Sequence, residues 1–257
     1  MELLRSNLLE TTTQLVVDSN TDLASNLFNR DVTFQYSTNG YNGVTKTTIR
    51  INFMETTTVS RIALLEHNLK AFRAYYNGVT ANAFALISGS TNTSDFSTNS
   101  ETSHYLQCTP VDCTSVSFDL ESTIVAGNEK AIGWLLLSSV MHTFDREPPS
   151  KGYKPKLDPK DIVHELSDGG KRIQFISEKN MAQLSYKHIT PSEKTALKAV
   201  WRQHREMVFV PFGTTTAWDG VIFPCVWEGT FDFEEFSDDA VSAGFTGKIN
   251  LTETANQ

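Results

Sequence analysis

In TPSEKTALKAVWRQHREMVFVPF (Thr190–Phe212) an amphipathic helix runs straight into a strand, within a chain that otherwise reads as strands and turns. Thr190 stands at an N-cap position, Pro191 at the first helical position where its missing N–H costs nothing, and Glu193 where a capping box places an acid. Leu197, Val200, Trp201 and His204 recur at helical spacing, with Lys194, Lys198, Arg202 and Arg205 on the other side. The pattern predicts one α-helix over about residues 191–205. MVFVPF then reads as a short apolar strand stopped by Pro211 and Gly213. An apolar helical stripe must be buried, and a sheet is its natural partner. The helix is therefore expected to close one side of a β-sandwich. At this stage it can complete a core or reach a ligand.

Outward from that stretch, the chain up to about Ser138 offers no second helix. QLVVD, KTTIRINF, RIALLEHN, FRAYYNG, FALISG, SVSFDLE and AIGWLLLS are short and β-leaning, separated by turn formers such as Asn39-Gly40, Asn77-Gly78 and Gly127-Asn128. Many short strands with regular turns point to a sandwich or jelly roll. Ile49, Ile51 and Phe53 alternate with Thr48, Arg50 and Asn52, so one face of that strand is wet, whereas AIGWLLLS is apolar on both faces and reads as central. Ser88–Ser103 is a long polar loop. Pro148, Pro149, Pro155 and Pro159 among five basic residues read as a linker over 141–160. Beyond it, Asp168-Gly169-Gly170 between β-leaning arms predicts a hairpin. The fold class expected is mainly β: two β-sandwich or jelly-roll domains, 1–140 and 161–257, the second carrying the helix.

The chain has 257 residues, 39% hydrophobic and 20% charged, with a formal net charge of −8. It can bury cores, and neither half is basic, which argues against a nucleic-acid groove. No stretch is long and apolar enough to insert in a membrane, and the start lacks a signal-peptide pattern. Cys108, Cys113 and Cys225 are too few for a disulfide framework and read as free thiols of a reducing cytosol.

Few residues are arranged for reaction chemistry. His164 and Glu165 are strand neighbours that point to opposite faces, and Asp168 is a turn residue, so they make a poor metal site. Asp232, Glu234, Glu235, Asp238 and Asp239 lack the spacing of a calcium loop and read as a solvated face. There is no phosphate loop and no G-x-S-x-G elbow. His67 reads as a hydrogen-bonded structural histidine. The expectation is a non-enzymatic protein with no cofactor and no metal. Tyr36, Tyr41, Tyr75 and Tyr76 near turns, with Phe212 and Trp218, are the candidate interface or ligand contacts, because rings beside polar loops suit sugar stacking or a protein partner.

Two resemblances follow from particular residues. ASNLFNRDVTFQYSTNG, TTIRINFMETTTVSRIALLEHNL, FRAYYNG and TSVSFDLESTIVAGNEKAIGWLLLS, within about 15–140, resemble the discoidin-like (coagulation factor 5/8 C-terminal type) galactose-binding jelly roll. Asn26, Leu27, Phe28 and Asp31 match its motif, Asn29 stands where an Asp is usual, and Phe34 or Tyr36 replaces a Trp. The resemblance implies a sandwich that binds glycans, lipid heads or proteins through loops at one end. Over about 158–255, the DGG hairpin, the helix after ITPSEK, MVFVPF, TTTAWDGVIFPCVWEGTFDFEEF and GFTGKINLTET resemble distal-tail and baseplate ring components of tailed bacteriophages. That resemblance implies a structural virion protein, assembled in the host cytoplasm with other tail or baseplate proteins and forming a homo-oligomeric ring. The alternative is a carbohydrate-binding module for a host-surface glycan.

Overall fold

The computed structural model describes residues 1–29, 34–39, 45–85, 87, 100–144, 153–165, 170–211, 222–237 and 244–254, with backbone only at 175–177 and 236–237. The strands are β1 (Glu2–Arg5), β2 (Leu15–Val17), β3 (Tyr36–Ser37), β4 (Thr47–Leu65), β5 (Leu69–Tyr76), β6 (His104–Thr123), β7 (Ala131–Ile132), β8 (Trp134–Ser138), β9 (Val140–Thr143), β10 (Tyr153–Glu165) and β11 (Lys171–Ile189). Helix α1 (Pro191–Trp201) follows, then β12 (Met207–Val210), β13 (Phe223–Glu228), β14 (Phe233–Ser237) and β15 (Gly244–Glu253). The chain is mainly β, in sandwich-like units, and the α-helix lies in the second, as its sequence predicts.

The first unit comprises Arg5–Val140 of the described chain. Its main sheet runs β2-β4-β6-β5 with β8 also on β4, and β3 pairs β7 separately. The alternation in KTTIRINF works as expected. Ile49 and Ile51 lie opposite Phe118 and Val116 in the core, while Arg50 and Asn52 face water. Trp134–Leu137 are buried at every position, yet among the described strands β8 pairs with β4 alone, its other side bonding to Asn7 and Leu8 outside any strand. The first half is not helix-free. A 3-10 helix spans Thr21–Leu27, because Ala24 and Leu27 at i, i+3 turn one side of SNTDLASNL into the core.

The second unit gathers Met1–Leu4, Met141–Pro211 and Ile222–Ala255. Its sheet runs β10-β11-β15-β13-β12-β1-β9, with β14 also on β15. The N-terminal strand thus belongs to the second unit, and the jelly roll is inserted in the chain between β1 and β9. Leu3 and Leu4 are fully buried. The stretch 141–160, expected as a linker, contributes the end of β9 and the first part of β10. Pro155 and Pro159 lie on β10, which ends the sheet, and an edge strand is where proline is tolerated. The hairpin is met by antiparallel pairing from Tyr153↔Leu184 to Glu165↔Lys171.

Helix α1 stops at Trp201, not near 205. The N–H groups of Gln203 and His204 turn back to the carbonyls of Val200 and Trp201, and His204 takes φ +43°, so the backbone leaves the helix. Thr190 caps as expected: its Oγ1 accepts from the Glu193 N–H at 3.2 Å. The Glu193 carboxylate instead faces His142 Nε2 at 3.6 Å, both side chains buried. Leu197 and Val200 are buried while Trp201 is half-buried, its indole N–H donating to Gly229 O.

Candidate functional site

The jelly-roll sheet turns Ile49, Ile51, Val116 and Phe118 inward, so residues of opposite parity share its outer face. Strand registry sets Arg73, Asp119 and Thr48 in one row across β5, β6 and β4, and Tyr75, Ser117 and Arg50 in the next. Polar side chains on three adjoining strands therefore converge without any loop placing them.

Asp119 is the centre. It is 3% exposed, and its carboxylate accepts from Lys46 Nζ at 3.1 Å, Thr48 Oγ1 at 3.1 Å and the Tyr75 hydroxyl at 3.2 Å. A buried carboxylate is tolerated only when its lone pairs are met this fully. The hydrogen bond to Asp119 raises the Lys46 pKa and keeps the ammonium charged. Burial, then the adjacent carboxylate, raises the Tyr75 phenol. Arg50 donates from Nε to Ser117 Oγ at 3.5 Å and stays exposed. Asn77 and Gly78 both have positive φ, and a Cβ at Gly78 would overlap the Arg50 guanidinium, so this turn makes room for it. Arg73 Nε is buried with no hydrogen-bond partner among the described residues. The face thus offers two accessible cationic donors, the Lys46 ammonium and the Arg50 guanidinium, beside a buried carboxylate that holds Lys46 in place, a pattern that can pair with vicinal hydroxyls.

Of the candidate contacts among the described residues, only Tyr75 belongs to this face, and at 6% exposure it acts through Asp119 rather than as an open platform. Tyr76 points to the opposite face and packs edge-on against Phe84. Tyr36 is not at the rim. It is fully buried, its hydroxyl donates to Ser19 O at 2.7 Å, and burial pushes its pKa to about 12. Its neighbouring turns suggested exposure, but pairing with β7 places the ring in the core. Tyr41, Phe212 and Trp218 lie outside the described residues. No local sequence signal marks Asp119, Ser117, Arg50 or Lys46 as a site. The alternation in SVSFDLE already set Ser115, Ser117 and Asp119 on one face, but nothing local showed what lies opposite them.

His67 is the structural histidine its surroundings suggest. Its Nδ1 accepts from Leu69 N–H, so Nε2 carries the proton and donates to His104 Nδ1 at 2.8 Å. His164 and Glu165 are exposed neighbours on β10, and Asp232, Glu234 and Glu235 are exposed, while Asp168, Asp238 and Asp239 lie outside the described residues. Among the described residues, no group of three His, Cys, Asp or Glu could hold a metal, and no helix is long and apolar enough to cross a membrane. All three cysteines are buried free thiols.

No family model matches the chain, and no curated protein matches it. Among solved structures, the chain is similar to chitosan-binding module 1 of a chitosanase/glucanase from Paenibacillus sp. IK-5, at TM-score 0.39 and 15% identity over 52% of this chain and 99% of that one. A second is CpGH89CBM32-6 from Clostridium perfringens, at TM-score 0.37 and 13% identity over 51% and 97%. A third is a pectin-binding carbohydrate-binding module, at TM-score 0.35 and 16% identity over 52% and 92%. These neighbours are carbohydrate-binding modules; none is a phage tail or baseplate component.

Proposed function

We propose that the chain is a glycan-binding protein without a catalytic step, and that its jelly roll takes the sugar on the outer face of β4, β5 and β6. The observation that carries this is the Asp119 cluster. A carboxylate already held by Lys46, Thr48 and Tyr75 is rigid, and the exposed Lys46 and Arg50 beside it can bind hydroxyls without first ordering the acceptor. The discoidin-like sequence of residues 15–140 supports the same class of ligand. Calorimetric titration of the full chain with neutral, amino and uronic oligosaccharides tests it. At least one class binds, and Arg50→Ala weakens that binding by roughly tenfold while the melting temperature holds. Absence of binding across all three classes, or binding indifferent to Arg50→Ala, overturns it.

A second reading, assembly into a tail or baseplate ring of a tailed phage, is favoured by one feature. β10 is exposed at every position after Tyr153, and the hairpin leaves Leu157 55%, Val163 53% and Ile173 65% exposed. Isolated hairpins are marginal in water, and a neighbouring subunit would cover these side chains. Light scattering over a concentration series checks this. A ring-sized mass supports it, and a strict monomer, alone and with tail extract, removes it.

A further inference from the structure

The sheet of the second unit carries a trough on the face opposite its core. Two adjoining grooves of about 520 Å³ and about 550 Å³ share Glu228, Gly229 and Asn250. Registry explains their chemistry. Lys154, Gln183, Asn250 and Glu228 form one row across β10, β11, β15 and β13. The next residues inward, Ala182, Leu251 and Trp227, are buried on the other face. The row has an ammonium at one end, a carboxylate at the other and two amides between them, the Gln183 side chain donating to Asn250 Oδ1 at 3.0 Å.

The same polarity repeats along the trough. Lysines at 154, 156, 187 and 248 come from β10, β11 and β15, and carboxylates at 228, 232 and 234 come from β13, β14 and the turn between them. Ser185 and Thr246 add hydroxyls to the floor. Gly229, at φ +87°, turns the chain between the strands, where a Cβ would meet nothing.

We propose that this trough binds an extended peptide whose side chains alternate between acidic and basic. A β-strand sends successive side chains to opposite sides, so a chain laid along β15 would offer one parity to the lysines and the other to the carboxylates. Its N–H and C=O groups would point down to Gln183, Asn250, Ser185 and Thr246, which supply both donors and acceptors. From Thr246 to Leu251 the trough follows β15 for about 17 Å, the length of five or six extended residues. A neutral sugar fits less well, because no exposed aromatic ring lines either groove: Tyr186, the one ring there, is 3% exposed. The site lies wholly in the second unit.

The test titrates the full chain with a capped peptide of four Glu-Lys repeats. The controls are a peptide of equal composition with four Glu followed by four Lys, and a neutral β-linked hexose tetramer. The alternating peptide binds at least roughly tenfold tighter than the block peptide, and raising salt from ~50 to ~500 mM weakens it. Glu228→Lys and, separately, Lys154→Glu each weaken it by roughly tenfold while the melting temperature stays within error, as expected at exposed positions. Equal affinity for the two peptides, no binding of the alternating one, or indifference to both reversals overturns the proposal. So does tetramer binding that Glu228→Lys abolishes.

Discussion

Asp119 receives Lys46, Thr48 and Tyr75 while 3% exposed, and the three partners differ in weight. Tyr75 is itself buried, so Asp119→Ala leaves a buried hydroxyl without its acceptor and should cost about 2 kcal/mol in a urea melt. Lys46→Met, at a side chain 56% exposed, should lower the midpoint less than Asp119→Ala does, because water already screens the ammonium and can take its place at the carboxylate. The His67–His104 pair gives a pH prediction. Burial first, then the neighbouring imidazole, lowers His67 from 6.5 to about 3, and burial lowers His104 too. Their neutral forms are required by the bond between the rings. Stability from the pair is therefore whole above the unfolded value near 6.5 and is lost as pH falls from there toward about 3. Thermal melts between these limits should show a falling midpoint, and His67→Gln should flatten the slope; an unchanged slope would count against the pair as its source.

Among the elements, α1 shows how far local signals reach. Thr190→Ala removes the cap on the Glu193 N–H and should cost about 1 kcal/mol by denaturant titration. The sequence carries the helix on to about 205 because QHRE has no breaker, whereas the helix ends at Trp201. The helix ends where His204 enters the left-handed region, and that is a tertiary choice. In β15, Gly247 sits under Phe233, whose ring an added Cβ would overlap, with Asp232 O at 2.7 Å from it. Gly247→Ala must push β14 off β15, since the backbone oxygen cannot swing away, and should destabilise the unit by about 1–3 kcal/mol. A melt matching the wild type would show that β14 moves freely.

For the whole molecule, the decisive feature is the insertion. β1 lies between β12 and β9, so the first residues complete a sheet whose other strands begin about 135 positions later. Deleting Met1–Arg5 should cost the second unit two buried leucines and the strand joining β12 to β9, and proteolysis should then attack 141–211 first. Preferential cleavage within 5–140 would contradict this placement. By itself the sequence determined what depends on neighbours along the chain: the β class, the alternation of β4, the capped start of α1, the β10–β11 hairpin and a structural His67. Periodicity and turn chemistry act within a few residues. Only the tertiary structure decided that Met1–Leu4 joins distant strands, that Tyr36 is core, that Asp119 gathers Thr48 of β4, Tyr75 of β5 and Lys46 just before β4, and that lysines and carboxylates line one trough. These depend on registry between segments far apart in sequence, and pairing free energy is settled only when the sheets close.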